Sequence, residues 1–313
     1  MAGPVSCFQE PGIVFMPGES MKTDLQILVR GSSDIASAVA VRLFQAGYSV
    51  VLHDAPQPTT TRRKMAFSDA IFDGAAMLEG VMSRHAVDVP ALIALIFQRS
   101  VIPLTTLEFP QLLGFFAPQV LVDARMRKRQ KPEVQLQLAP LTIGLGPNCI
   151  AGENVHLAIE TAWGEQLGAV ITHGSTRPLE GEPNPIAGHG RDRYVYAPVD
   201  GIFHTARQIG EVVSQGELIA YVDLTPLYAP ISGTLRGLTH DGVPVATKNK
   251  VLEVDPRLAD PKISGVGERP GKIAQGVLKA IREHADILMP SGRIGSCDSG
   301  PLPRSSSHQR IRC

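Results

Sequence analysis

Apolar residues in this chain come in short runs separated by glycine turns, with few long helical stripes. Leu25-Gln26-Ile27-Leu28-Val29 is one such run and suits a strand covered on both faces of a parallel sheet. Gly31-Ser32-Ser33-Asp34 reads as the turn after it. From Ile35 to Gln45 apolar residues, among them Val39 and Leu43, recur at helical spacing, with Asp34 as the expected N-cap and Gly47 as the C-cap. Tyr48-Ser49-Val50-Val51-Leu52 is a second strand, followed by His53-Asp54. Strand, turn, helix and strand in this order predict the βαβ opening of a Rossmann-like domain. Further on, Val89–Arg99 predicts a helix, Val101–Leu104 a strand, and Gln119–Asp123 the strongest later strand.

After residue 140 the pattern changes. Leu141–Pro147 predicts a strand running into a glycine turn. Val155–Glu160 alternates with period two, and Leu167–Thr172 is its expected hairpin partner. Residues 174–192 are a Gly/Pro/Arg-rich loop. Then an internal repeat begins: Ala197-Pro198-Val199-Asp200-Gly201-Ile202-Phe203 recurs 32 residues later as Ala229-Pro230-Ile231-Ser232-Gly233-Thr234-Leu235. Gly210 with Gly242, Val213 with Val245, and Val222-Asp223 with Val254-Asp255 keep the same offset. Matches at a single spacing are a specific signal of duplication. Two interlocked copies of strand, turn and strand resemble the flattened barrel of biotinyl- and lipoyl-carrier domains.

The expected organisation is α/β plus β. Residues 1–23 form a flexible extension with Met21 as an alternative start. Residues 24–140 form the Rossmann-like domain, 141–192 a connecting module, and 193–258 the barrel. A helical segment over 259–290 and a disordered tail over 291–313 follow. The 313 residues, 43% hydrophobic, suffice for two cores. Lys plus Arg and Asp plus Glu each total 30, so no net positive surface argues for nucleic acid or an anionic membrane. No apolar run reaches the ~18 residues of a membrane span. The four cysteines, Cys7, Cys149, Cys297 and Cys313, have no CxxC or metal-ligand spacing, which points to a reducing, cytoplasmic setting.

Candidate chemistry gathers at the strand ends. Gly31 stands where a phosphate loop would begin, with Ser33 and Ala36 in place of later glycines and Asp34 beside them. Asp54 is placed for a ribose contact. Arg62-Arg63-Lys64 follow the second strand, and Arg125, Arg127, Lys128 and Arg129 follow the strand ending at Asp123. Carboxyl ends of parallel strands form the ligand edge of such sheets, so the two basic runs either converge on an anion or are solvated surface. Gly144 and Gly146 make a tight, backbone-rich turn that either wraps an anion or is structural. His156 and Glu160, about 13 Å apart at strand rise, read as one polar hairpin face.

Val29–Ala36, Arg62-Arg63, Val122–Met126, Lys128-Arg129, Ala139–Pro147, Val155-His156, Ile159–Thr161 and Ala229–Gly233 together resemble one bacterial family. These are the YqeB-type accessory proteins of the selenium-dependent molybdenum hydroxylase system. The resemblance covers about residues 25–285 and departs at Ser33 and at Asn148-Cys149, where the family has glycine and Gly-Phe. It implies a maturation role, with a molybdenum hydroxylase client and other maturation proteins as partners. It also implies a molybdenum cofactor (molybdopterin) as anionic ligand, held by Arg62, Arg63, Arg125, Lys128 and Arg129. The alternatives are an NAD(P)-dependent oxidoreductase and a non-catalytic structural adaptor. Carrier domains present a lysine on the hairpin joining their two copies. Here that hairpin is Leu224-Thr225-Pro226-Leu227-Tyr228, without lysine. Intact mass spectrometry should therefore show neither a lipoyl nor a biotinyl adduct on the chain.

Overall fold

The computed structural model describes residues 25–127, 132–179, 183–284 and 288. The expectations for both tails, Met21, Cys7, Cys297, Cys313, Lys128 and Arg129 lie outside them.

Nine strands form one sheet. In chain order the first seven are β1 (Gln26–Arg30), β2 (Ser49–His53), β3 (Ala75–Leu78), β4 (Val81–Ala86), β5 (Ile102–Thr105), β6 (Val120–Asp123) and β7 (Leu141–Leu145). A short β8 (Ile150–Ala151) pairs outside the sheet, which then gains β9 (Leu157–Ile159) and β10 (Val170–Ile171). The order is β10-β9-β7-β6-β1-β2-β5-β4-β3. All pairings are parallel except β9 with β10 and β3 with β4. From β1 the chain proceeds outward through β2, then returns to the other side for β6, so the order reverses between β1 and β6. A crevice for ligands characteristically opens at such a reversal.

Helices explain why the central strands lack alternation. On one face α1 (Asp34–Gln45) shares a core with the C-terminal helix α5 (Glu268–Glu283) and with Ile27, Val29, Val122 and Ile143. On the other face α3 (Val89–Gln98) and α4 (Phe109–Phe115) pack over Leu28, Val51 and Leu121. A four-residue helix, α2 (Ala70–Asp73), precedes β3. Strands covered on both sides have no solvent face to make polar.

Two expectations change. Residues 141–171 are not a separate connecting module: β7, β9 and β10 extend the same sheet, and α5 returns from beyond the repeat to complete its core. The segment Leu167–Thr172 does return as the antiparallel partner of β9, through β10, but the pair is not half-exposed: Leu157, Ala158 and Ile159 are all buried, and the other edge of β9 pairs in parallel with β7. The β3–β4 hairpin had a signal in the two-residue turn Glu79-Gly80, whose φ angles are +50° and +73°. Positive φ at both central residues is the requirement of a tight hairpin.

The repeat builds two four-stranded antiparallel sheets. After β11 (Gly174–Ser175), which pairs with β8, come β12 (Tyr194–Tyr196), β13 (Gly201–His204), β14 (Val212–Val213) and β15 (Leu218–Val222). Their counterparts are β16 (Thr225–Tyr228), β17 (Gly233–Leu238), β18 (Pro244–Val245) and β19 (Lys250–Asp255). The sheets are ordered β12-β19-β17-β14 and β16-β15-β13-β18. Exchanging each strand for its repeat partner turns one order into the other. Each sheet therefore takes strands from both copies, and neither copy can bury Phe203, Val222, Leu235 and Val254 without the other.

Helix α5 sits close against the turn at Gly168, because Gly276 faces it without a side chain. A Cβ on Gly276 would collide with the Gly168 carbonyl oxygen and lie 3.1 Å from Ile159. In an exposed helix Gly→Ala is stabilising by about 1 kcal/mol. Here overpacking reverses the sign, and Gly276→Ala should cost about 1–3 kcal/mol in urea denaturation.

Candidate functional site

The loop after β2 carries Arg62, Arg63 and Lys64 away from the sheet and onto the repeat unit. Arg63 donates to the Leu238 carbonyl at 2.8 Å and pairs with Asp69. Lys64 donates to the Ile209 carbonyl at 2.6 Å. The Leu238 amide in turn donates to the Thr61 carbonyl at 2.8 Å. Gly237 makes this approach feasible, since a Cβ there would already lie 3.3 Å from Thr61.

Arg62 occupies the centre of this seam. Its Nε and Nη2 reach the two oxygens of Glu253 at 2.9 and 3.0 Å, a bidentate pair, and its Nη1 reaches Asp34 at 3.1 Å. Glu253 lies on β19 and is fully buried. Three more cations converge on it: Arg193 at 2.5 Å, Arg236 at 3.4 Å and Lys250 at 3.0 Å. Arg236 sits where the β17–β19 register shifts, and an irregularity of that kind re-aims a side chain. Arg193 and Lys250 both lie over the Tyr194 ring, and Arg193 Nη2 donates to the Tyr194 hydroxyl at 2.6 Å.

Arg62, Arg193, Arg236 and Lys250 thus face two carboxylates, Glu253 and Asp34. Arg269 of α5 borders this cluster: burial pushes its guanidinium down, Asp34 and Glu160 oppose this, and Arg62 reinforces it. Burial alone would raise the Glu253 carboxyl, but Lys250 and Arg62 outweigh it and hold the group well below its ordinary value. Burial pushes the Lys250 ammonium down; Glu253 opposes this, Arg62 reinforces it, and the result is about 8. The side chain of Lys250 is 30% exposed, so the cluster communicates with solvent there.

A second charged group fills the reversal point between β1 and β6. Asp123, at the end of β6, takes Arg125 Nε at 2.9 Å and Gln135 Nε2 at 2.7 Å. Glu133 takes Arg125 at 2.6 Å, Arg30 at 2.8 Å, and Arg127. The Arg30 guanidinium lies 3.7 Å over the Phe109 ring.

Placing the remaining predicted residues changes several roles. Among the described residues the members of the two basic runs take separate partners: Arg62 and Arg63 are committed to Glu253, Asp34 and Asp69, and Arg125 and Arg127 to Asp123 and Glu133. The turn after β1 is closed on itself. The Gly31 amide, at φ +106°, donates to the His53 carbonyl at 2.7 Å. Asp54 does not project toward a ribose: its Oδ2 accepts the Ser32 amide at 2.7 Å and hydroxyl at 2.6 Å. A carboxylate thus takes a donor of the turn that a dinucleotide phosphate would use. Ser33, not Asp34, is the N-cap of α1, and Asp34 begins the helix, its carboxylate turned to Arg62.

Gly144 and Gly146 serve packing. A Cβ on Gly144 would lie 2.7 Å from Cys149 Sγ, and one on Gly146 would lie 3.3 Å from Met126. Burial pushes the Cys149 thiol up to about 12, so it is no nucleophile at neutral pH. His156 and Glu160 bind separate backbone groups: His156 Nδ1 accepts the Thr142 amide, and buried Glu160 accepts the amides of Thr161, Ala162 and Arg177. Among the described residues no group of His, Cys, Asp and Glu is arranged to hold a metal, and no helix is long and apolar enough to cross a membrane.

The fold and this seam define an α/β protein joined by a polycationic cluster to a duplicated β unit. The chain is a homologue of the uncharacterized protein YqeB of Escherichia coli K12. The two are 35% identical over 271 residues, which is 87% of this chain. The chain spans 50% of that relative's length. No protein-family model matches. Among solved structures, the ectoine utilization protein EutE (DoeB) from Ruegeria pomeroyi is 16% identical, with 75% of this chain and 86% of that one covered at a TM-score of 0.22. An aspartoacylase family protein from Mesorhizobium loti is 10% identical, with 76% and 87% covered at 0.24. Likeness at these scores assigns neither fold nor activity.

Glu253→Gln leaves four cations around a neutral amide. Uncompensated buried charge typically costs about 3–5 kcal/mol, and urea denaturation at pH 7 should show a loss of that order. The Glu253 carboxyl sits lower in the folded chain than in the unfolded one. Its stabilising contribution is therefore complete above the ordinary carboxylate value and declines as pH falls below it toward the folded value. The Gln variant should lose this acid-dependent component.

Proposed function

We propose that this chain is a non-catalytic accessory protein. It binds an anionic, phosphate-bearing cofactor of the molybdopterin type where its two halves meet, and serves maturation of a selenium-dependent molybdenum hydroxylase client in the cytoplasm. In this reading the nine-stranded half is Rossmann-like and the duplicated half a biotinyl/lipoyl-like barrel without the carrier lysine. The observation that carries it is the surplus of positive charge at Glu253, drawn from both halves. Guanidinium and ammonium donors match the phosphate of such a cofactor, and each charge-assisted contact is worth about 1.5–3 kcal/mol. When bound, the cofactor would bring molybdenum chemistry to the client; the chain's residues hold its anionic end. The oxidoreductase reading has less support, because Asp54 and the His53 carbonyl already take the donors of the Gly31 turn.

The test is equilibrium binding of isolated molybdopterin to the wild type and to Lys250→Ala, which removes a partly exposed side chain. The expected result is saturable binding to the wild type, weakened about tenfold to a hundredfold in the variant. NADH and NADPH should not bind saturably. Absence of molybdopterin binding overturns the proposal, and tight NADPH binding with turnover replaces it with the oxidoreductase.

A further inference from the structure

Helix α3 has no polar face. Residues 89–98 carry no charge, and only Gln98, the last of them, is polar. Leu92, with Leu95 and Ile96, turns inward to the core that holds Leu28, Val51 and Leu121. Pro90, Ile93, Ala94 and Phe97 turn outward, at the i, i+3, i+4, i+7 spacing of a second apolar stripe. All four are exposed, Phe97 by 81% and Ile93 by 42%. A helix that is apolar all round belongs in an interior, and an exposed apolar stripe on a folded domain marks a contact surface.

We propose that this stripe is a homodimer interface, in which α3 packs antiparallel against α3 of a second copy about a two-fold axis between Ile93 and Ala94. In this arrangement the stripe is its own complement. A two-fold contact sets residue i against j and j against i. Antiparallel pairing about that point puts Phe97 against Pro90 of the second copy, at both ends, and Ile93 against Ala94. A larger side chain meets a smaller one at each of the four positions, which lets the helix axes approach. Charge agrees with the packing. Asp88 is the N-cap of α3 and Arg99 its C-cap, so each acidic end faces a basic end, and the two helix dipoles run opposite ways. A parallel pairing would set Phe97 on Phe97 and Asp88 on Asp88, with like dipole ends together.

The size of the contact sets its strength. A standard interface buries about 800 Å² per partner, more than one ten-residue helix face presents. Val87, Met82 and Phe115 are exposed and extend the apolar surface. Met82 alternates along β4 with Ala86, which packs in the core beneath α3, so both look to that side of the sheet. Phe115 ends α4, which covers the same side. A contact of this extent corresponds to a dissociation constant on the order of 1–100 μM. The stripe lies on the sheet face opposite α1 and α5, so the pairing uses no residue of the Arg62–Glu253 seam and does not depend on a cofactor there.

The experiment is sedimentation velocity of the full chain, with a thiol reductant present, at concentrations from about 1 to 200 μM that bracket such a constant. The variants are Phe97→Lys and Pro90→Glu, both at exposed positions, with thermal melts to check that each stays folded. The wild type is expected to dimerise reversibly. Each variant alone should associate at least tenfold more weakly, because a charge then faces an apolar side chain at both ends of the contact. An equimolar mixture of the two variants should recover association. In the mixed dimer the introduced ammonium of one chain meets the introduced carboxylate of the other, and the opposite end keeps its native pair. Should one variant unfold, the wild type and the remaining variant still decide. A wild type that stays monomeric at the highest concentration overturns the inference and leaves the stripe to a different protein. So does a dimer that folded variants leave unchanged, and so does a mixture that associates no better than its parts, since the antiparallel register requires the rescue.

Discussion

The bidentate pair between Arg62 and Glu253 is the constraint on which the molecule's arrangement rests. One partner comes from a loop of the α/β half, the other from the centre of a strand in the duplicated half, and Glu253 is wholly buried. A carboxylate in such a place is tolerable only while its cations stay. Buried pairs add little net stability compared with apolar packing, but losing one partner is severe. The pair therefore acts less as glue than as a register pin: the halves can meet only where Arg62 finds both oxygens. The backbone bonds of Thr61 and Leu238 and the side chains of Arg63 and Lys64 follow from that fit.

The duplicated unit shows how one fold acquires two kinds of face. At the offset of 32, Lys250, Glu253 and Arg236 correspond to Leu218, Tyr221 and His204. In the second copy these positions lie beneath the α/β half and are charged. In the first they look outward, with Leu218 39% and Tyr221 40% exposed. The inner residues, Phe203 with Leu235 and Val222 with Val254, keep their apolar character in both copies because both sheets enclose the same core. Divergence on one side of each strand, with preservation on the other, separates what the fold requires from what the site requires.

The α/β half has retained the architecture of a ligand-binding sheet while its usual mouth has been taken over by protein groups. At the reversal between β1 and β6, Asp123, Arg125, Arg30 and Glu133 bind one another, and at the first turn Asp54 caps Ser32. Charges that solvent or a nucleotide would otherwise meet are satisfied internally. The surplus of positive charge is found instead where Arg62 leaves this sheet and joins the repeat unit.

The order of apolar runs and glycine turns was enough to determine the central strands, α1, α3 and the duplication with its offset. Those features depend on burial and backbone conformation, which are local properties of the chain. The places of Asp123 and Arg125 at the end of β6, and of Arg62 and Arg63 in the loop beyond β2, were legible for the same reason. Their partners were not. Glu253 pairs with an arginine 191 positions earlier, and in sequence it shows only as a charge inside the apolar strand Lys250–Asp255. Comparing the two copies would have marked it, since Tyr221 stands at the equivalent place. Tertiary structure alone decided that β7, β9, β10 and α5 belong to the first sheet's half. It also decided that Arg62 and Arg63 turn to one set of carboxylates and Arg125 to another, because Coulomb pairing acts through space between segments whose separation in sequence carries no trace of it.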